Sequence, residues 1–252
     1  AMVQFFEVAH VDSLNDLKAL TTQQIIDATA QMFLNVDNYI STFSPTRGGS
    51  ALPETVYEAS AKSQVPLVVG TNRDENRLWA VLNPQPLEIS GAKEFFDQAF
   101  RELSSDAWTT YEQLMGESSP VQIVSSMQTD QHFRVPAWQL CDVRSEAGIK
   151  TWMYWFTWAT PAFGGVLGSC HALDIPFAFD NLGAPGTDML TGDGAERAGI
   201  ATRFANEIAQ FAKASEPTWP AFNLGNRQTL EINAEMTVLT DPEGEIRSLF
   251  VN

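Results

Sequence analysis

Residues 65–75 have the sequence VPLVVGTNRDE, in which a wholly apolar run ends at Gly70 and polar and charged residues follow. A short apolar run of this kind predicts a strand that is buried on both faces, as in a parallel sheet. Pro66 fits only among the first residues of such a strand, because proline cannot donate to a central ladder. The acidic pair Asp74 and Glu75 is therefore expected in the loop that follows the strand.

A second buried strand is predicted at residues 151–158, TWMYWFTW, which are aromatic and β-prone. The loop-like residues 159–195 follow it and contain His171. In open α/β sheets the functional groups lie on loops at the carboxyl ends of the strands. Glu75 and His171 are therefore expected on neighbouring loops at the same edge of the sheet.

Helices are predicted between these strands, which gives an α/β fold with a mainly parallel sheet. Thr21 and Gln24 are interpreted as a capping box for a helix that precedes the first strand. The apolar faces predicted for the helices run through Ile26, Ala30 and Phe33, through Phe96, Phe100 and Leu103, through Trp108, Tyr111 and Met115, and through Ile200, Phe204, Ile208 and Phe211. A further helix is predicted from about Pro136 to Gly148, a long loop at 40–62, and short strands near 228–232 and 246–250.

Four segments resemble those of the type B carboxylesterases, the cholinesterase-like and para-nitrobenzyl esterase-like family. Residues 65–75 resemble the segment around the family's catalytic acid, and residues 171–179, HALDIPFAF, resemble the segment around its histidine. Residues 20–28 and 219–222 match two further segments, in the family's order. The resemblance implies the C-terminal portion of an α/β-hydrolase fold, with residues 1–252 as the C-terminal half of one such domain.

The resemblance also implies that Glu75 is the acid and His171 the base of a catalytic triad. A serine hydroxyl is a poor nucleophile until a base takes its proton, and an imidazole that titrates near neutrality can do this. A carboxylate on the far ring nitrogen fixes the tautomer and stabilises the imidazolium. Asn76 stands where the family usually has glycine, and asparagine tolerates the left-handed backbone expected there.

The serine itself is missing from this sequence. Residues 48–52 and 116–120 lack the final glycine of a Gly-x-Ser-x-Gly elbow, and Ser169 is not on a strand-to-helix turn. No His-Gly-Gly motif for an oxyanion hole is present either. The family holds both motifs in its N-terminal half, so the chain is expected to be a fragment that is inactive alone, with the missing N-terminal half as its partner.

Ordinary structural roles compete with these assignments. Without the family match, Glu75 would be interpreted as a surface loop acid and His171 as a hydrogen-bonded loop histidine. Asp74 is the alternative candidate for the catalytic acid. His10 and His132 have no comparable setting, so a metal site built from three scattered histidines is not expected.

Other residues near the predicted loops are assigned to structure first. Asp174 is expected to be a local cap or an ion-pair partner. Cys170 is expected to be an unreactive residue that packs in the interior. Trp79, Trp158 and Phe163 could line an acyl pocket, although aromatic residues near buried strands are more often part of the core.

Charge and composition exclude several kinds of partner. The sequence carries 15 basic and 31 acidic residues, for a net charge of −16, which disfavours binding to nucleic acid and to anionic membranes. No window of about 18 apolar residues predicts a membrane span. Cys141 and Cys170 do not make a disulfide framework and are expected to be free thiols, as in a cytoplasmic protein, although an upstream secretion signal stays open.

The predicted function is that of a serine carboxylesterase acting on a small-molecule ester, without cofactor or metal. The alternative is a catalytically inactive cholinesterase-like interaction domain, and the presence of both Glu75 and His171 argues against it. A sheet edge left open by the missing half predicts self-association.

Overall fold

The computed structural model describes residues 2–34, 44–45 and 47–251, and they form two compact units that divide after Thr55. The first unit contains helices α1 (Met2–Ala9), α2 (Leu14–Ala19) and α3 (Thr22–Leu34). The predicted capping box at the start of α3 is confirmed, because the Thr21 N–H donates to the Gln24 side chain at 2.9 Å and the Gln24 N–H donates to the Thr21 hydroxyl at 3.3 Å.

The buried face of α3 differs from the predicted one. Ala28 and Met32 pack with Phe5 of α1, whereas Ile26 and Phe33 are exposed. Apolar residues occur on more than one side of this helix, so their spacing alone could not select the face that packs. Part of the loop predicted at 40–62 lies outside the described residues, and the part at Val56–Ser60 is a short helix, α4.

The second unit is built on a four-stranded sheet with the strand order β1-β2-β3-β4. β1 (Leu67–Asn72), β2 (Thr151–Phe156) and β3 (Thr229–Ile232) are parallel, and β4 (Met236–Leu239) is antiparallel to β3. The sheet is therefore mainly parallel, as the sequence predicts.

The remaining helices of this unit are α5 (Arg77–Leu82), α6 (Ile89–Phe100), α7 (Ser104–Met115), α8 (Pro120–Thr129), α9 (Val135–Glu146), α10 (Ile175–Ala178), α11 (Thr187–Thr191), α12 (Arg197–Ala214) and α13 (Gly244–Phe250). Short 3₁₀ turns occur at Arg101–Leu103 and Ala162–Gly165, and a π-helical turn at Asp130–Arg134 joins α8 to α9. No helix of the described residues is long and apolar enough to cross a membrane.

Both faces of the central strand β2 are covered. Trp152 and Phe156 face a core that includes Phe204 of α12, and Met153 points the other way, into a core with Trp138 of α9. Alternate residues of a strand point to opposite faces, so an uninterrupted aromatic run such as this one needs helices on both sides.

β1 is an edge strand among the described residues, so the prediction that it is buried on both faces was wrong for Leu67–Gly70, which are only half-buried. The Leu67 N–H donates to the Lys150 carbonyl and the Arg73 N–H to the Phe156 carbonyl, so alternate residues from Leu67 onward face β2. The N–H groups of the residues between them face the open edge. An apolar run indicates burial of its side chains, but it does not reveal whether a neighbouring strand is present.

Two further predictions needed correction. Residues 246–250 form helix α13 rather than a strand, because Ile246, Leu249 and Phe250 have helical spacing and pack with α6 and α7. The helix predicted to begin near Pro136 is the end of a continuous helical run that begins at Pro120. Pro136 lacks an N–H and would end an ordinary helix, but here a wide π-helical turn precedes it.

Candidate functional site

The carboxyl ends of β1 and β2 lie side by side, with Asn72 paired with Phe156. The loops that follow these strands bring Glu75 and His171 together at this edge of the sheet. Glu75 Oε2 lies 2.7 Å from His171 Nδ1. The predicted proximity is confirmed, and the catalytic role of the pair stays a prediction.

Glu75 is held in a buried position, with only 6% of its surface exposed. Its Oε1 accepts the backbone N–H of Asn72 at 2.8 Å. Because that N–H faces the open edge of β1, the carboxylate occupies the bonding position that a further strand would otherwise fill at this point. Burial raises the pKa of Glu75, the hydrogen bonds from Asn72 and His171 lower it, and the nearby Asp174 carboxylate raises it.

The contact with Glu75 favours one tautomer of His171. When the carboxylate is ionised it can only accept, so Nδ1 of the ring would donate to it and Nε2 of the neutral imidazole would keep a free lone pair. The His171 side chain is 42% exposed, so the ring is accessible to another molecule. Two aromatic rings pack beside it, Trp79 at 4.8 Å and Phe133 at 5.5 Å between ring centroids.

Asp74, the rival acid, has a different role. Its Oδ2 accepts the Ser169 N–H at 2.8 Å and an Arg73 Nη2–H at 2.9 Å, and its Oδ1 pairs with Arg77 at 3.1 Å. The Asp74 N–H in turn donates to the Ser169 carbonyl at 2.9 Å. Asp74 therefore joins the two loops, and Glu75 is the acid that contacts the histidine.

The segment just before the histidine is tightly packed. Ser169 is fully buried and its hydroxyl donates to the Phe156 carbonyl at 2.6 Å, so it is not available as a nucleophile. Cys170 and Cys141 are buried free thiols, as predicted. Burial raises the pKa of Cys170 to about 11, which disfavours the reactive thiolate.

The carboxylate of Asp174 lies close to the Glu75–His171 pair. Asp174 accepts the Tyr154 hydroxyl at 2.8 Å and Asn72 Nδ2–H at 3.2 Å. It directly precedes α10 but makes no side-chain capping bond, so the cap, one of the two roles predicted for Asp174, was wrong. The Asn72 side chain also donates to the Cys170 carbonyl at 2.7 Å, so this one residue binds Glu75 through its backbone and the histidine loop through its side chain.

The three aromatic candidates separate into different environments. Trp158 is core, since it is buried, packs against Phe177 at 5.0 Å and donates from Nε1 to Glu196 at 2.9 Å. Phe163 is 67% exposed on the loop after β2. Of the three, only Trp79 contacts the histidine, and it also lines a cavity of about 300 Å³.

Sequence reasoning missed the residues that support the pair from α8. Asn76 has a right-handed backbone (φ −71°), contrary to the left-handed turn expected there. Its N–H donates to Thr129 Oγ1 at 2.9 Å and its side chain donates to Gln128 Oε1 at 2.7 Å. Asn72 could have been singled out as the last residue of a strand before an acid. Phe133 had no detectable signal in the sequence.

The other two histidines, His10 and His132, are both exposed. Within the described part of the chain, no group of three or more His, Cys, Asp and Glu residues is arranged to hold a metal ion.

Comparisons with known proteins identify relatives of this chain. Residues 3–247 match the model of the carboxylesterase family. The para-nitrobenzyl esterase of Bacillus subtilis (strain 168) is 28% identical in an alignment 259 positions long, which covers 93% of this chain and 48% of that protein. The phenmedipham hydrolase of Pseudarthrobacter oxydans is 24% identical, over 77% of this chain and 41% of that protein.

Solved structures show the same fold. A carboxylesterase from Geobacillus stearothermophilus superimposes with a TM-score of 0.78 at 21% identity, covering 98% of this chain and 53% of that one. A para-nitrobenzyl (PNB) esterase superimposes with a TM-score of 0.76 at 24% identity, covering 99% of this chain and 53% of that one.

The chain spans about half the length of the curated relatives it matches, 48% of one and 41% of the other. The family match extends over nearly all of this chain, from residue 3 to residue 247. The chain belongs to the carboxylesterase family and has the α/β-hydrolase fold.

Proposed function

We propose that this chain supplies the acid, Glu75, and the base, His171, of a Ser-Glu-His triad in a serine carboxylesterase that hydrolyses carboxylic esters. The observation that carries the proposal is the 2.7 Å contact between Glu75 Oε2 and His171 Nδ1 at the carboxyl edge of the sheet. Membership of the carboxylesterase family supports the reaction class.

The geometry suits the chemistry of ester hydrolysis. A serine from a part of the protein outside this sequence attacks the ester carbonyl, and His171 Nε2 takes its proton and later gives it to the leaving alcohol. Glu75 holds the ring with Nδ1 towards itself and stabilises the imidazolium that forms.

We propose that the part of the protein that carries the serine pairs with the open edge of β1. In the described residues β1 pairs only with β2, and the N–H groups of Val68 and Gly70 face away from that partner. Glu75 lies at the end of this same edge. A parallel strand added there would place its own carboxyl-end loop beside the Glu75–His171 pair, where the nucleophile is needed.

The rings beside His171 favour an ester with an apolar or aromatic group. Trp79 and Phe133 flank the imidazole, and neither brings a charge to the site. One relative is named for para-nitrobenzyl ester hydrolysis and another for hydrolysis of phenmedipham. A nitrophenyl or nitrobenzyl ester of a short acid is therefore the substrate class of first choice.

A chimera tests the proposal. The N-terminal half of the Bacillus subtilis para-nitrobenzyl esterase, joined to this chain, is expected to hydrolyse a short-chain nitrophenyl ester. His171→Ala should lower kcat by about three to four orders of magnitude, because triad members act as a unit. His132→Ala, at an exposed histidine, is the matched control and should leave turnover unchanged.

The chain on its own should release nitrophenol no faster than its His171→Ala variant. A burst of one equivalent of alcohol from the isolated chain would contradict this, because it would require a nucleophile within these residues. A folded chimera whose turnover does not depend on His171 would favour the non-catalytic interaction domain instead.

A further inference from the structure

The π-helical turn at Asp130–Arg134 is an irregularity in an otherwise regular run of helix. It is closed by a hydrogen bond from the Val135 N–H to the Asp130 carbonyl, five residues back. Such turns are rare and often occur at functional sites. Here Phe133 faces His171, whereas Asp130 and Arg134 are buried.

The residues just before this turn contact the loop that carries the acid. Thr129 Oγ1 accepts the Asn76 N–H at 2.9 Å, and Gln128 Oε1 accepts from the Asn76 side chain at 2.7 Å. The Thr129 hydroxyl proton is committed to the Ser125 carbonyl at 2.9 Å, so its lone pairs are left for Asn76. Asn76 directly follows Glu75, and the two bonds therefore fix the backbone next to the carboxylate.

The turn itself contacts the base. The centroid of the Phe133 ring lies 5.5 Å from that of His171 and 6.1 Å from that of Trp79, and Trp79 lies 4.8 Å from His171. Three rings that pack against one another restrict rotation of the imidazole. In the orientation observed, Nδ1 faces Glu75 at 2.7 Å.

A buried charge cluster holds the turn in place. Asp130 is fully buried and accepts the Tyr111 hydroxyl at 2.5 Å and Arg134 Nε–H at 2.7 Å. Arg134 also pairs with Glu243, and its guanidinium lies over Trp155 at 4.7 Å. Buried ion pairs are costly to desolvate and often stabilise no more than apolar residues would, so geometric specificity is the better explanation for this one.

We propose that residues 128–134 position the acid–base pair, acting on Glu75 through Asn76 and on His171 through Phe133. The inference rests on the proposed function, because it assigns a purpose to the geometry of that same pair. It concerns the hydrogen bond between the two side chains and is measured on the whole 252-residue chain without any turnover assay.

The test follows the Nδ1 proton of His171 by NMR in the chain labelled with ¹⁵N-histidine. Thr129→Val keeps the shape of the side chain but removes the acceptor for Asn76. It should speed solvent exchange of the Nδ1 proton by about tenfold, the effect of losing one buried hydrogen bond. Thr129→Ser keeps the hydroxyl and should restore slow exchange. Phe133→Leu should also speed it, because the imidazole loses an aromatic neighbour.

The matched control is Thr109→Val. Its hydroxyl also donates to a carbonyl four residues back, that of Ser105, but on an exposed face of α7, and the exchange rate should stay unchanged. If Thr129→Val does not fold, Gln128→Met takes its place. It removes the other acceptor for Asn76, at a half-buried position, and should likewise speed exchange of the Nδ1 proton.

If the exchange rate of the Nδ1 proton is the same in Thr129→Val as in the unaltered chain, the positioning role is overturned. The same holds for Gln128→Met where it replaces Thr129→Val. Failure of the proposed function has a separate signature. That signature is a folded chimera whose turnover does not depend on His171, whatever the variants at 128, 129 and 133 do to the exchange rate.

Discussion

Asp74 and Ser169 exchange two hydrogen bonds, from the Asp74 N–H to the Ser169 carbonyl at 2.9 Å and from the Ser169 N–H to Asp74 Oδ2 at 2.8 Å. Asp74 immediately precedes Glu75, and Ser169 lies two residues before His171. The distance between the acid and the base is therefore set largely by a connection that lies within two residues of each of them. Arg73 and Arg77 hold the Asp74 carboxylate in this position.

Gly168 is essential to this connection, and Gly168→Ala should be strongly destabilising. Its φ is +58°, which is costly for any residue with a Cβ, and a Cβ there would lie 2.5 Å from Asp74 Oδ2. We expect the free energy of unfolding, measured in urea, to fall by about 2–3 kcal/mol from the two effects together.

Gly164→Ala is the control for the backbone cost alone. Gly164 has a φ of +70°, and no atom lies within 4 Å of the position that an alanine Cβ would take, so only about 1 kcal/mol should be lost. Equal losses from the two substitutions would show that the approach of Asp74 to Gly168 does not matter.

Glu75→Gln should make folding stability less dependent on pH. Burial raises the pKa of Glu75 in the folded state, so the folded chain holds this proton at pH values where the unfolded chain releases it. The stability from that proton is present below the ordinary pKa and is lost as the pH rises through the raised one. The free energy of unfolding of the variant should therefore rise relative to that of the unaltered chain as the pH rises through the raised pKa.

Unfolding of both proteins in urea, from about pH 4 to about pH 8, measures this difference. The buried carboxyls of Asp130 and Glu243, whose pKa values burial also raises, titrate in both proteins and cancel. A stability difference that does not change across this range would contradict the burial penalty assigned to Glu75.

The open edge of β1 should cause the isolated chain to self-associate. The N–H groups of Val68 and Gly70 face away from β2, and an unpaired edge is a template for another strand. The net charge of −16 opposes association, so raising the salt concentration should strengthen it by screening the repulsion. Sedimentation at several concentrations and salt levels tests this, and a chain that stays monomeric under all of them would contradict it.

The predictions from sequence that succeeded depend on simple periodicity and on the polarity of a parallel sheet. The runs at residues 65–70 and 151–158 indicated two strands, and parallel strands carry their functional loops at one edge, so the acidic pair Asp74–Glu75 and His171 could be placed at the same edge. The choice of Glu75 over Asp74 came from the family resemblance. The helix that contains Phe96 and Phe100 was predicted from the helical spacing of these apolar residues.

The residues that sequence reasoning missed depend on tertiary packing. Phe133, which contacts His171, lies in a π-helical turn that also contains Asp130 and Arg134, and no local pattern indicates the burial of these two charged residues. The C-terminal residues 246–250 were too short to distinguish a strand from a helix by apolar content, and packing against α6 and α7 selects the helix.

The contact between Glu75 and His171 is tested most directly by the protonation of the histidine ring in the ¹⁵N-labelled chain. NMR distinguishes a neutral imidazole protonated at Nδ1 from one protonated at Nε2, and His10 and His132, both exposed, serve as internal references. We expect His171 to carry its proton on Nδ1, and Glu75→Ala to shift the ring towards the Nε2-protonated form. A His171 ring that is protonated on Nε2 in the unaltered chain, or that does not respond to Glu75→Ala, would contradict the acid–base pair.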